Sequence, residues 1–401
     1  KTIGESAFRG CSRLENMVLP DGVESIGGRA FRHCSNLRSI NIPDSVKTIG
    51  GLAFQGCSSL KSITIPDSVQ TIGKDAFNGC PNLKITIGYE TYLRLKNSIP
   101  KNLIHTIIMP EDCETIEKGA FKGLNKLESI DIPKNVKSIG SKAFYGCESL
   151  KCMNIPNGVE SIGESAFLGC FSLESINIPD SVKTIGGLAF QGCSSLKSIT
   201  IPDSVQTIGK DAFNGCPNLK ITIGYETYLR LKNSIPKNLI HTIIMPEDCE
   251  TIEKGAFKGL NKLESIDIPK NVKSIGNEAF RDCSNLKNIN IPNSVKTIGE
   301  SAFRGCSRLE NMVLPDGVES IGEQAFRHCS NLKSINIPDS VQTIGKDAFN
   351  GCPNLKITIG YETYLRLKNS IPKNLIHTII MPEDCETIEK GAFKGLNKLE
   401  S

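Results

Sequence analysis

The dipeptide Ala-Phe occurs fifteen times, from Ala7-Phe8 to Ala392-Phe393, and successive copies lie 23 residues apart except at three steps of 44. A fixed period in the twenties marks a solenoid: each unit is one supersecondary element whose apolar face is covered only by its neighbours. A chain of 401 residues would otherwise suggest two or three domains. The repeat predicts instead one elongated solenoid over 1–401.

Self-alignment gives the unit L-x-x-I-x-I-P-x-x-V-x-x-I-G-x-x-A-F-x-G-C-x-x, unbroken from Leu37 through Ile40, Ile42, Pro43, Val46, Ile49, Gly50, Ala53, Phe54 and Cys57. Eighteen units begin in the chain. Each 44-residue step resolves into an ordinary unit and a short Tyr-bearing unit of 21 residues, at 83–103, 219–239 and 355–375. Five ordinary units and one short unit form a higher repeat of 136 residues, and Ser45–Gly140 is identical to Ser181–Gly276. Both ends fall inside a unit, without divergent capping repeats, so the expectation is a segment of a longer chain.

Leu37, Ile40 and Ile42 are apolar and mostly β-branched with polar residues between them, which predicts a strand facing the core. Pro43 ends it, because it has no ladder donor. Asp44-Ser45 turns the chain, Val46 and Ile49 return to the core in a short second strand, and Ala53-Phe54 is expected as one helical turn. Fifteen of the sixteen Phe occupy this one position, which predicts a packed spine. The residue before Cys is Gly, or His33, His328 or Asp282, types that tolerate positive φ, so a left-handed cap is expected there. Tyr92, Leu95 and Ile99 lie at helical spacing; the short units are expected to replace Ala-Phe with a Tyr-anchored helix.

The spacing L-x-x-I-x-I with the I-P, S-I-G and A-F-x-G-C signatures resembles the BspA-type leucine-rich repeats of surface proteins of mucosal bacteria and parasitic protozoa. The resemblance covers essentially the whole chain. It implies a leucine-rich-repeat-like α/β solenoid with one parallel sheet, and adhesion to host or neighbouring-cell surfaces through a protein or glycan partner. The implied location is the cell surface or outside the cell.

Twelve of the sixteen Cys occupy the Gly-Cys position, in three runs of four units, and three more, Cys113, Cys249 and Cys385, replace the inward Val. In-register thiols point the same way, which disfavours the disulfide torsion, and no C-x-x-C pair occurs. Buried reduced thiols are expected, with Cys152 outward at the Ser39 position.

Enzyme chemistry needs unlike groups converging. The five His are dispersed by the repeat, and no G-K-[ST] loop, H-E-x-x-H or G-x-S-x-G occurs. No enzyme, cofactor or metal site is expected. The formal charge is +4, without runs of like charge, which gives no indication of a nucleic-acid partner. No stretch approaches the roughly 20 apolar residues of a membrane span. The remaining candidate surface is the outward strand face, read as a polar strip through Asn41, Thr64, Asp131, Asn177, Thr200, Asp267, Asn290 and Asn336. The expected function is a protein-binding adhesive solenoid; a passive stalk or an intracellular scaffold remain alternatives on the residues alone.

Overall fold

Strands form where the I-x-I alternation places one face inward. Ser62–Ile65 buries Ile63 and Ile65 and leaves Ser62 and Thr64 in solvent. The computed structural model describes residues 1–401 as two units, Lys1–Leu219 and Lys220–Ser401. In the first unit, pairing is parallel from Asn16–Val18 through Ser39–Asn41, Ser62–Ile65 and Lys84–Gly88 to Ile104–Ile108. A second ladder joins Cys152–Asn154, Ser175–Asn177 and Ser198–Ile201. In the second unit, Lys220–Gly224 pairs with Ile240–Ile244, and Ser334–Ile337 with Lys356–Gly360 and then Ile376–Ile380. Between those ladders, pairing is reduced to single bridges, Asp267 to Asn290, Asn288 to Asn311, and Asn311 to Ser334.

The second strand of the ordinary units, formed in all but the last, is only two residues long. Ser25–Ile26, Thr48–Ile49 and Thr71–Ile72 pair in register, each Ile buried. The next residue is Gly because successive backbones nearly touch there: a Cβ on Gly50 would lie 2.4 Å from the Gly28 nitrogen, and one on Gly186 2.4 Å from the Glu164 nitrogen. This is a packing demand, not a φ demand. Glu117, Glu253 and Glu389 stand in place of this Gly where the preceding unit is short, and the Glu253 N–H donates to the Tyr225 hydroxyl at 3.2 Å. The glycine is needed only where an ordinary unit precedes.

The segment expected as one helical turn is a run of reverse turns. Ala53 N–H donates to Gly50 O, Gln55 N–H to Leu52 O, and Cys57 N–H to Phe54 O, each three residues back. The intervening donors leave the unit: Leu52 N–H goes to Lys74 O at 3.0 Å, Phe54 N–H to Ala76 O at 2.8 Å, and Gly56 N–H to Asn78 O at 2.8 Å. Half the amides close turns and half bind the next unit, a division that a helix cannot make because its N–H groups all bond within it. The expected left-handed cap is present, with His33, Asp282 and His328 at φ 61°, 62° and 62°. A second left-handed residue precedes every Ala-Phe, including Arg29, Leu52, Lys142 and Leu188 at φ 54° to 61°. For such residues this conformation costs roughly 1 kcal/mol; the inter-unit hydrogen bonds offset it.

The Phe series is the spine. Phe144, Phe167, Phe190 and Phe213 are fully buried, with ring centroids 5.1, 5.4 and 5.6 Å apart and near-parallel planes, the offset stacking that ring quadrupoles favour. Each short unit substitutes a helix: α1 (Tyr89–Leu95), α2 (Tyr225–Leu231) and α3 (Tyr361–Leu367). Tyr89, Tyr92 and Leu95 are buried, and both Tyr rings lie against Phe121. These tyrosines are core.

The ladder thiols other than Cys11 are buried and free, each donating to a carbonyl one unit back, as Cys57 Sγ does to Phe31 O at 3.1 Å. Cys11 and Cys152 are exposed. Cys113, Cys249 and Cys385 are only half-buried, less inward than the Val they replace; Cys113 donates to Thr115 O. Burial pushes the Cys57 thiol up to about 12 and those of Cys80, Cys216 and Cys352 to about 11.

Replacing Phe190 with Ala removes a fully buried ring and is expected to cost roughly 3–5 kcal/mol. The loss should appear mainly as faster hydrogen exchange in the units on either side; unchanged protection there would remove the spine from the core. The thiols give a second prediction. A thiol in the unfolded chain ionises near ~8.5, and the folded ladder holds its protons to higher pH. Stability is therefore complete below about pH 8.5 and falls as pH rises toward 11–12. Native labelling at pH 7.5 should reach Cys11 and Cys152 first, and a melting temperature unchanged between pH 7.5 and 10.5 would contradict buried thiols.

Candidate functional site

The outward strand positions are where side chains meet solvent without a packing role. All eight candidates, Asn41, Thr64, Asp131, Asn177, Thr200, Asp267, Asn290 and Asn336, are exposed. They do not form one uniform strip. Asn177 and Thr200 share a shallow groove of about 370 Å³ with Cys152, Asn154, Ser175 and Ser198. Thr64 lines a second groove of about 310 Å³, and Asn336 a third of about 240 Å³. Asp267 and Asn290 face each other across a single bridge. Asn41 pairs with Val18, and Asp131 belongs to no strand.

The expected polar monotony is broken by aliphatic residues at the same outward position. Val18 and Val313 are 80% and 73% exposed, and Ile108, Ile244 and Ile380 stand at the equivalent place in the units that follow short ones. They were readable in principle: Met17-Val18-Leu19-Pro20 and Ile107-Ile108-Met109-Pro110 align residue for residue with Ile40-Asn41-Ile42-Pro43. In I-I-M an alternation argument has no polar residue to mark the outward phase.

The second and third grooves are copies of one arrangement. In the first unit, Ile108 is flanked by Asp44, Asp67 and Glu90; in the second, Ile380 by Asp316, Asp339 and Glu362. The middle carboxylate is fixed by α1 or α3. Thr91 Oγ1 donates to Asp67 Oδ1 at 2.7 Å, and Thr363 Oγ1 to Asp339 Oδ1 at 2.6 Å. Arg94 and Arg366 donate to the backbone oxygens of the same two Asp residues. Each site is an exposed aliphatic side chain beside three acidic residues, the middle one anchored, suited to a ligand that presents an apolar surface and a cation or hydrogen-bond donor.

The edges of the stack carry Lys–Glu pairs one unit apart, such as Lys183 with Glu160 at 2.8 Å and Lys333 with Glu310 at 2.7 Å. The lysines hold these carboxyls below the ordinary carboxylate range by hydrogen bonding and charge. Exposed pairs of this kind contribute little stability, and they balance charge along the flank. His105, His241 and His377 each place Nδ1 about 3 Å from a Leu carbonyl two residues back, a local structural role. No group of three or more His, Cys, Asp or Glu comes together as a metal site, and no helix is long and apolar enough to cross a membrane.

The sequence matches the BspA-type leucine-rich repeat region, in six copies, over residues 1–103, 96–220 and 233–356. It is similar to a leucine-rich repeat protein of Bacteroides ovatus, 31% identical, with 95% of this chain and 87% of that one covered at a TM-score of 0.36. A leucine-rich cell surface protein of Faecalibacterium prausnitzii is 29% identical, with 86% and 87% covered and a TM-score of 0.30. The pneumococcal vaccine antigen PcpA is 20% identical, with 95% and 92% covered and a TM-score of 0.27. No curated protein matches. With the family signature over most of its length, the chain belongs to the BspA-type leucine-rich repeat family.

Proposed function

We propose that this protein is a cell-surface or secreted adhesion module that binds a protein or glycan partner through its outward strand face, its 401 residues forming one solenoid. The observation that carries this reading is the duplicated groove in which an exposed Ile stands beside acidic residues anchored by a short-unit helix. An exposed aliphatic side chain has no role in solvating a sheet, and its recurrence with the same acidic neighbours is what a contact surface requires. The exposed aliphatics favour a protein partner over a glycan. Residues at the same outward position recur every 136 residues, as in Asn41 and Asn177. Six parallel strands at ~4.8 Å separate such copies by about 29 Å. A repetitive partner could then engage more than one copy and gain avidity without strong single sites.

The test compares three forms of the chain against arrayed extracellular proteins and polysaccharides by biolayer interferometry. In one variant Asn41, Thr64, Asp131, Asn177, Thr200, Asp267, Asn290 and Asn336 become Lys; in another, exposed turn residues such as Asn36 and Asn331 become Lys. The strip variant should lose binding at least about tenfold, equivalent to roughly 1.4 kcal/mol, with an unchanged circular dichroism spectrum. The turn-side variant should retain it. Equal loss or equal retention by both would exclude the strand face, and a lack of any partner for the unaltered chain would favour a passive stalk.

A further inference from the structure

In the stacked turn segments alternate backbone donors pair with the next unit until a short unit interrupts the series. In the second unit, Gln324, Phe326 and His328 donate to Lys346 O, Ala348 O and Asn350 O at 2.9, 2.8 and 2.8 Å. The next three donors in the same series, the N–H groups of Asp347, Phe349 and Gly351, face the short unit at 355–375. That unit has no turn segment, and these three make no hydrogen bond. The first unit repeats the pattern, with residues 74–103 identical to 346–375. Leu52, Phe54 and Gly56 are paired forward, and Asp75, Phe77 and Gly79 are not.

The short unit serves its two neighbours unequally. Toward the following unit it replaces the missing backbone with side chains: Lys373 Nζ donates to Lys394 O at 3.0 Å, and the Tyr364 hydroxyl to Ala392 O at 2.9 Å. Toward the preceding unit it accepts from none of the three turn donors. A groove of about 660 Å³ lies there instead, with Asp347, Phe349 and Gly351 on one wall and Ser370, Ile371 and Pro372 on the other. Phe349 is buried, Asp347 half-buried and Gly351 exposed, so the groove presents three neighbouring main-chain donors that only water or a ligand can satisfy. The charged lining is one Lys and one Asp, Lys346 and Asp347, so no excess of positive charge selects a phosphate or sulfate. The acceptor that matches these donors is shown by the ordinary interfaces of the same chain: main-chain carbonyls from every second residue of a polypeptide.

We propose that this groove is a docking site for a short polypeptide segment of a partner protein, which adds to the open turn ladder as one more turn segment would. Its alternate carbonyls accept from Asp347, Phe349 and Gly351, and the same chemistry is available at Asp75, Phe77 and Gly79. This is main-chain addition to an unsatisfied edge, with the turn ladder in the place of a β-sheet. It is a second site, independent of the strand face.

The probe is the acetylated, amidated peptide Gly-Gly-Leu-Ala-Phe-Gln-Gly, the chain's own turn sequence at 186–192. The readout is residue-resolved amide hydrogen exchange of the full chain. Without peptide, the Phe77 and Phe349 amides should exchange at least about tenfold faster than those of Phe54 and Phe326. Millimolar peptide should slow exchange at 75, 77, 79, 347, 349 and 351 by roughly tenfold and leave Phe54 and Phe326 unchanged. In Ser370→Trp, which fills the second-unit groove, protection should vanish at 347–351 and persist at 75–79, an internal control for folding. Absence of protection by the peptide overturns the proposal, as does equal protection by neutral dextran, which would make the groove a polysaccharide site.

Discussion

The close approach of successive backbones at the S-I-G glycine is the constraint on which the structure depends. At Gly50, Gly73, Gly186 and Gly209 a Cβ would meet backbone atoms of the preceding unit at 2.2 to 2.4 Å. That contact sets the spacing at which two-residue strands pair, Phe rings stack at just over 5 Å, and a thiol reaches the carbonyl one unit back. None of these interactions could hold a 23-residue unit alone. Held at one spacing, they repeat, and stability becomes a property of interfaces between units.

The turn segment shows how far the stack dictates local conformation. Leu52 and Leu188 adopt a left-handed backbone that leucine disfavours, because only that path sends alternate amides to the next unit. The short units show the converse. Where an ordinary unit is missing, the glycine relaxes to Glu117, Glu253 or Glu389, and the Phe gives way to paired Tyr on a helix. The side chains of that helix and the segment after it then take over hydrogen bonding on the following side. A solenoid built on backbone complementarity can be interrupted only by a unit that supplies substitutes. The side left without them is where an external chain fits.

Much of this was legible in the sequence because the repeat gives many independent readings of each position. The strand phase, the Phe spine, the left-handed residue before Cys and the core role of Tyr92 all follow from residue types that recur with a physical reason. The left-handed residue before Ala-Phe was not legible, since Ser6, Arg29, Leu52, Asp75 and Gln324 share no side-chain chemistry and the conformation is imposed by hydrogen bonds between units. The turn path itself was hidden for the same reason. On the strand face, polar candidates such as Asn177 and Thr200 were found by alternation. Ile108 and Ile380 were missed because an apolar residue between two inward apolar residues carries no signal of its outward phase.

The most direct measurement is a pair of substitutions within residues 1–219, Gly186→Ala and Glu117→Ala, read by urea denaturation of the full chain. Gly186 sits on an ordinary unit, and an added methyl group would collide with the backbone of Glu164. Glu117 occupies the same repeat position after a short unit. The account predicts a loss of about 1–3 kcal/mol for Gly186→Ala and a change within about 0.5 kcal/mol for Glu117→Ala. Equal effects of the two substitutions, or a neutral Gly186→Ala, would contradict backbone contact between units as the organising constraint.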